Sequence, residues 1–137
     1  MYVTPIKQDD VAEVVEMLQS ISSFYPDPES LDHIWTNYIS QDHVYGYSFF
    51  IDDKIVGYGA IVYETKIRGG KMGHIEDIVV SQDQRGKGIG KKIIAFLCAA
   101  GKENGCYKIS LSCKANNIEF YEKCGFVSDG FTMNIIL

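Results

Sequence analysis

The six residues from Arg85 to Gly90, RGKGIG, combine three glycines with two cations between a predicted strand and a predicted helix. Glycine lets a backbone approach an anion with no Cβ in the way, and the first N–H groups of a helix lack intrahelical acceptors. The helix dipole favours negative charge at that end, and Arg85 and Lys87 add positive charge. The loop therefore predicts a phosphate site. The alternative is a surface turn whose glycines serve packing.

The spacing of these glycines excludes two common phosphate loops. The pattern G-x-x-x-x-G-K-[ST] is absent, and the third glycine of G-x-G-x-x-G is not in place. Neither ATP nor NAD is therefore a good fit to the loop.

Histidine and cysteine spacing does not favour a metal centre. The three histidines form no cluster and the four cysteines contain no C-x-x-C pair; they are His33, His43, His74, Cys98, Cys106, Cys113 and Cys124. We therefore expect reduced thiols and no metal site.

Hydrophobic periodicity predicts which elements position the loop. Apolar residues at helical spacing predict two helices before residue 42, ahead of any sheet. Period-two segments then predict strands at Tyr47–Ile51, Ile55–Tyr63 and His74–Val80. After the loop we expect a long helix, a strand at Tyr107–Cys113, a short helix at Asn116–Lys123 and a final strand at Phe126–Ile136. The prediction is a mixed α/β fold.

Length and composition restrict the class of protein. The chain has 137 residues, 46% of them apolar, and a formal charge of -5. We expect a single domain over residues 1–137, and the acidic balance argues against a nucleic-acid partner. A secretory signal and an apolar stretch of about 20 residues are both missing, which predicts a cytoplasmic protein with no membrane partner. Small-molecule chemistry is favoured.

Two ordered motifs carry a resemblance to a known superfamily. The loop resembles the [QR]-x-x-G-x-[GA] pyrophosphate loop of GNAT acetyltransferases, and Phe120–Phe126, FYEKCGF, is similar to their F-Y-x-x-x-G-F segment. The chain is identified as a member of this superfamily. The resemblance implies an α/β fold with a central, mostly antiparallel twisted sheet flanked by helices, and acetyl-CoA as co-substrate.

A closer resemblance runs from about Gly73 to Phe126. The segments GHIEDIVV at Gly73–Val80, GCYK at Gly105–Lys108 and NIEFY at Asn117–Tyr121 are similar to the glucosamine-6-phosphate N-acetyltransferase family. That resemblance implies a cytosolic homodimer of amino-sugar synthesis. It also implies acetyl transfer to the amine of glucosamine 6-phosphate by direct attack, with no covalent enzyme intermediate.

The same resemblance assigns roles to single residues. It places Glu76 and Asp77 where amine and thioester meet. It assigns coenzyme A to the loop, to Asn117 and to an added-strand pairing with β-strand backbone; these residues are Ile78, Val79, Val80, Arg85, Gly86, Lys87, Gly88, Ile89, Gly90 and Asn117. An amine attacks only as the free base, so Glu76 is the candidate base and Tyr121 the candidate acid for the leaving thiolate.

Each assignment has a structural alternative. Strand neighbours such as Glu76 and Asp77 point to opposite faces, so one of them is solvated in that interpretation. Tyr121 then belongs to the core, and Asn117 caps the short helix.

Recognition of the sugar phosphate departs from the family's pattern. Ser112 occupies the position of an acidic residue, and the chain has no arginine near its C-terminus. Lys66 and Lys108 remain as phosphate contacts, so the substrate-binding candidates are Lys66, Glu76, Asp77, Lys108 and Ser112. Two alternatives stay open. One is transfer to another amine, such as a different amino sugar, a polyamine or a peptide N-terminus. The other is a catalytically silent coenzyme A-binding module.

Overall fold

The computed structural model describes residues 1–137, which form five strands and four helices. The strands are β1 (Tyr2–Pro5), β2 (Val44–Ile51), β3 (Lys54–Thr65), β4 (Lys71–Val80) and β5 (Lys108–Leu111). The helices are α1 (Val11–Leu18), α2 (Leu31–Ile39), α3 (Ile89–Glu103) and α4 (Ile118–Lys123). Short 3-10 turns lead into each helix except α3, whose preceding turn at Gln82–Gln84 is separated from it by the glycine loop. None of the helices has both the length and the apolar character needed to cross a bilayer.

The five strands form one sheet in the order β1-β2-β3-β4-β5. The first three pairings are antiparallel, and β4 pairs with β5 in parallel. The expected mixed, mostly antiparallel sheet with flanking helices is therefore confirmed. The expectation that two helices precede any sheet is wrong, because β1 comes first and pairs with β2. A four-residue edge strand that ends in Pro5 gives too short a pattern to recognise from sequence.

Helices cover both faces of the sheet. On one face α3 packs against the larger apolar cluster, which contains Phe49, Val56, Ile61, Tyr63, Ile75, Ile89, Ile93, Ile94 and Leu97. On the other face α1 contributes Val14 to a smaller cluster with Tyr58, Ala60 and Val79. The sheet is therefore the middle of three layers, and β3 and β4 contribute to both clusters.

The contact between β3 and α3 depends on Gly59. A Cβ at this position would lie 2.8 Å from Ile78 Cδ1, 3.0 Å from Ile93 Cγ2 and 3.0 Å from Leu97 Cδ1. We expect Gly59→Ala to lower the free energy of unfolding by about 1–3 kcal/mol through overpacking. Urea denaturation measures this change. An unchanged midpoint would mean that α3 can move away from the sheet without loss.

The predicted final strand at Phe126–Ile136 is wrong for the chain as it folds here. Residues 124–137 contain no helix or strand. A strand needs a neighbouring strand for its backbone hydrogen bonds, and this segment has none. Six of its apolar side chains are 82–110% exposed; they are Val127, Phe131, Met133, Ile135, Ile136 and Leu137. The strand-like sequence therefore lies on the surface, and a hydroxyl contact of 2.8 Å between Thr132 and Ser112 ties it to the region after β5.

Candidate active site

The glycine loop forms an open cradle of backbone N–H groups at the start of α3. Gly86 and Gly88 have φ values of 78° and 79°, and a Cβ at either would meet no atom within 4 Å. No backbone carbonyl accepts a hydrogen bond from the N–H groups of residues 86–91, and the first helical bond runs from Lys92 to Gly88. Unpaired donors, positive φ and free space are together the features that an anion site requires.

The strand that leads to the loop has an open edge. β5 pairs with β4 only over Met72–Ile75, so the stretch from Glu76 to Val80 has β3 on one side and no strand on the other. Near its end, Arg85 Nε donates to the carbonyl of Val80 over 3.3 Å. The gap between β4 and β5 therefore presents free strand backbone that runs directly toward the loop. The residues Ile78, Val79 and Val80 lie on this edge.

A β-bulge interrupts β4 at the carboxylates. Tyr58 pairs with Val79 and Ala60 with Glu76, so Gly59 alone faces both Asp77 and Ile78. Asp77 has the left-handed φ of 56°. An extra residue of this kind resets the alternation of side chains along a strand.

The bulge places both carboxylates on the same side of the sheet. Glu76 pairs with Ala60, which packs against α1, and Asp77 lines a cavity beneath α1 and α2. Strict alternation predicted opposite faces for Glu76 and Asp77, and the bulge makes that prediction wrong. Beyond the bulge, Ile78 and Val80 face the α3 side.

Asp77 lies in a less polar environment than an ordinary surface carboxylate. Part of its side chain is accessible to solvent, yet the surrounding groups desolvate the carboxyl and raise its pKa above the usual value. The Tyr58 and Tyr38 hydroxyls form a hydrogen bond of 2.9 Å nearby. Burial raises the pKa of both tyrosines, and the charge of Asp77 raises both further. A carboxylate with a raised pKa is a stronger base, which suits proton abstraction.

Helix α4 lies beside the loop. The Phe120 ring comes within 3.2 Å of the position that a Cβ of Gly90 would occupy. Tyr121 packs edge-on against Phe120 and Phe126, with ring centroids 5.0 and 6.1 Å apart. Burial raises the pKa of Tyr121, so its phenol stays protonated at neutral pH. Asn117 precedes α4, and its side chain makes no capping hydrogen bond, contrary to the capping alternative.

The predicted phosphate contacts do not converge on the carboxylates within one chain. Lys108 pairs with Met72, five residues before Asp77, which corresponds to roughly 16 Å along the strand. Lys66 follows Thr65, which pairs with Lys71, so it lies at the same end of the sheet as Lys108. It forms an exposed 2.7 Å ion pair with Glu64. Ser112 does lie at the gap, directly after the pairing of Leu111 with Ile75.

Sequence reasoning missed the groups that surround Asp77 on the helix side. Tyr38 and Tyr58 meet across α2 and β3, and the cavity walls come from α1, α2 and the segment between them. One signal was present, since Tyr58 places a hydroxyl in the otherwise apolar run IVGYGAIV. A buried tyrosine hydroxyl usually finds a polar partner.

The chain matches a known protein family over most of its length. The model of the Acetyltransferase (GNAT) family matches residues 12–126. The chain belongs to this family. The residues that match the GNAT model include the glycine loop, the strand before it and α4.

Individual GNAT relatives narrow the comparison. "Glucosamine 6-phosphate N-acetyltransferase 1" of Dictyostelium discoideum is 49% identical over 87 residues, 62% of this chain and 55% of the relative. "Glucosamine 6-phosphate N-acetyltransferase" of Arabidopsis thaliana is 45% identical over 83 residues, 59% of this chain and 56% of the relative. The matched stretch thus spans about half the length of these curated relatives.

A solved structure extends the likeness over the full chain. The crystal structure of glucosamine-6-phosphate N-acetyltransferase from Arabidopsis thaliana superposes with a TM-score of 0.88 at 31% identity. The superposition covers 98% of this chain and 97% of that one. The GNAT architecture therefore includes the first 70 residues, in which the sequence motifs are weak.

Proposed function

We propose that this GNAT protein transfers the acetyl group of acetyl-CoA to the amine of glucosamine 6-phosphate. One observation carries the proposal. The free backbone edge of β4 runs from the carboxylates to Val80, and a 3-10 turn at Gln82–Gln84 connects it to the glycine loop, with α4 alongside. An extended arm that ends in a pyrophosphate matches this track in shape and charge, and the named relatives support the choice of acceptor.

Three parts of the site bind acetyl-CoA in this mechanism. Bound acetyl-CoA supplies an electrophilic thioester carbon. The backbone of Ile78–Val80 holds the pantetheine arm as an added strand, and N–H groups near Ile78 donate to the oxygen that gains charge. The loop from Arg85 to Gly90 binds the pyrophosphate, and Asn117 contacts the cofactor beside it.

Proton transfer is assigned to the bulge and to α4. Both Glu76 and Asp77 face the acceptor side. Asp77 also lines the cavity beneath α1 and α2, and desolvation raises its pKa, so we assign the base to Asp77 in place of Glu76. Asp77 accepts the amine proton, and Glu76 orients the acceptor. Tyr121 donates a proton to the leaving sulfur. No side chain needs to form a covalent bond with the acetyl group.

Tyr121→Phe tests the acid. The variant keeps the ring that packs against Phe120 and Phe126 and loses only the hydroxyl, so we expect kcat to fall about 10²-fold. Affinity for acetyl-CoA should change little. Single-turnover kinetics combined with calorimetric titration separates the two effects. An unchanged chemical rate would end the role of Tyr121 as acid.

Phosphate recognition requires a second copy of the chain in this proposal. Lys66 and Lys108 lie too far from Asp77 to contact the phosphate of the same acceptor, whereas a partner can bring its own cations to the site. The free edge of β5 and the exposed apolar residues after Val127 offer an interface for such a homodimer. Light scattering should give twice the chain mass. A monomer with full activity would contradict this arrangement.

A thiol-release assay with acetyl-CoA and glucosamine 6-phosphate tests the acceptor. We expect robust turnover with the sugar phosphate and at least tenfold less with glucosamine, which lacks the phosphate. Turnover of another amine with none of this sugar would remove the proposed acceptor and leave the cofactor assignment intact. A single domain over residues 1–137 and a cytoplasmic location stay predictions.

A further inference from the structure

The cavity beneath α1 and α2 has a lining that differs from that expected of a sugar-phosphate site. Its volume is about 310 Å³. Five of the nine lining residues are hydrophobic, and the full set is Val15, Leu18, Gln19, Ile21, Ser22, Phe24, Pro26, Ile34 and Asp77. No lysine or arginine is among them, so the cavity offers no cation to a phosphate. Its volume is at the lower end of the roughly 300–1,000 Å³ typical of small-molecule pockets.

The cavity wall is braced by hydrogen bonds. The Gln19 amide donates to the carbonyls of Val15 and Phe24 over 2.9 and 2.7 Å, and its oxygen accepts from the Phe24 N–H over 2.8 Å. The Tyr25 hydroxyl donates to Glu16 over 3.2 Å. These bonds hold the segment between α1 and α2 in place. The cavity is therefore a formed site that needs little ordering when a ligand binds.

Charge complementarity identifies the occupant. Asp77 is the only charged residue in the lining, and it directly precedes the open strand edge assigned to the pantetheine arm. A ligand with one ammonium group and an apolar body satisfies both the carboxylate and the surrounding side chains. A sugar bearing several hydroxyls leaves those hydroxyls unpaired against apolar walls, which is unfavourable.

We infer that the cavity is a second acceptor subsite, in which the enzyme acetylates small primary amines that carry an apolar aliphatic or aromatic substituent. The inference rests on the acetyl-CoA chemistry of the proposed function and goes beyond its acceptor. The apolar substituent lies between α1 and α2, and the ammonium group contacts Asp77. The ammonium gives one proton to Asp77, and the nitrogen then bonds to the acetyl carbon. The carbon–sulfur bond breaks and Tyr121 gives its proton to the sulfur. The nitrogen loses a second proton, which restores the Tyr121 phenol, and Asp77 releases the first proton to solvent. The products are an N-alkyl or N-aralkyl acetamide and free coenzyme A.

A homologous series of amines measures occupancy of the cavity. With acetyl-CoA and the full-length protein, kcat/KM should rise about fourfold for each methylene from n-propylamine to n-hexylamine. Phenethylamine should be comparable to hexylamine, and ethanolamine should be poor. A flat series, or no turnover of hexylamine beside robust turnover of glucosamine 6-phosphate, would overturn the inference and leave the proposed function standing.

A matched pair of variants on α2 locates the subsite. Ile34 lines the cavity and is 38% exposed, whereas Ile39 is 56% exposed and lies outside it. Ile34→Lys places a cation near the bound ammonium, so the ratio of kcat/KM for hexylamine to that for glucosamine 6-phosphate should fall at least 30-fold. Ile39→Lys should leave this ratio unchanged. Equal losses in the two variants would overturn the location.

A second variant, which introduces no charge, tests the subsite if Ile34→Lys does not fold. Phe24→Ala removes a cavity wall that is 72% exposed and should raise KM for hexylamine about fivefold with kcat kept. An unchanged KM would count against the subsite. If the wild-type protein turns over hexylamine but not the sugar phosphate, the subsite is supported and the proposed acceptor is wrong. If it turns over neither amine, both the subsite and the proposed acceptor are wrong.

Discussion

Replacing Asp77 with asparagine should lower kcat by about 10²- to 10⁴-fold while affinity for acetyl-CoA stays nearly constant. An amide has almost the same shape as a carboxyl, and asparagine tolerates the left-handed backbone found at this position. The loss therefore reports the missing proton acceptor and not a collapsed bulge. Glu76→Gln is the matched control on the same face and should cost less. The reverse order of the two losses would make Glu76 the base.

The pH dependence of the wild-type enzyme should follow the same carboxyl. Only ionised Asp77 accepts a proton, and desolvation raises its pKa above the ordinary value for aspartate. The acidic limb of kcat should therefore lie above the pH at which an unperturbed aspartate titrates. In Asp77→Asn the residual activity should lack this limb. A limb that persists in the variant would assign the titration to another group.

At pH 7, Asp77→Asn should raise the stability of the fold while it lowers activity. Because the pKa of Asp77 is higher in the folded state, its favourable contribution is present at acid pH and is lost as pH rises through that pKa. At pH 7 the wild-type protein thus carries the cost of a desolvated charge, which asparagine lacks. The thermal midpoint of Asp77→Asn relative to wild type should be higher at pH 7 than at pH 3. Thermal unfolding monitored by circular dichroism at both pH values measures this difference.

Gly88→Val should reduce affinity for acetyl-CoA by more than about 10²-fold. Valine at φ 79° is strained, and its branched side chain would enter the space that the cradle leaves free. The amide donors around the start of α3 would then be blocked. Isothermal titration calorimetry with acetyl-CoA measures the loss.

Gly105 provides a control for backbone strain alone. It has a φ of 81° and similar free space, but it follows the far end of α3. Gly105→Val should lower the free energy of unfolding by about 1–2 kcal/mol, as the same backbone strain does at Gly88. Its affinity for acetyl-CoA should be retained. Equal loss of affinity in both variants would show that strain, and not blockage, explains the effect at Gly88.

Features formed by residues that are adjacent in the chain were predicted well from the sequence. The glycine loop, the strand before it and the long helix after it are adjacent in the chain, so one short window contains the whole signal. The family resemblance added the identity of the superfamily, which the match over residues 12–126 confirmed. The second motif contributes Phe120, which lies against Gly90 of the loop.

Features that depend on distant neighbours were predicted poorly. The cavity joins α1 and α2 to β4, and no spacing rule connects Ile34 to Asp77. The segment after Phe126 has the composition of a strand, but it lacks a partner within the chain. Lys66 and Lys108 looked suitable by charge alone, although the register of β4 and β5 places them away from the carboxylates.

The bulge at Asp77 adds one residue to β4, and the packing of the core does not require that residue. Gly73 and Ile75 face α3 before the bulge, and Ile78 and Val80 face it afterwards. If Asp77 were deleted, simple alternation would keep all four on that face, and Val79 would still meet α1. The core thus has no need of the extra residue. A one-residue deletion should give a folded protein that lacks the proposed base, so a relative with a shorter strand here would keep the architecture but not the proposed chemistry.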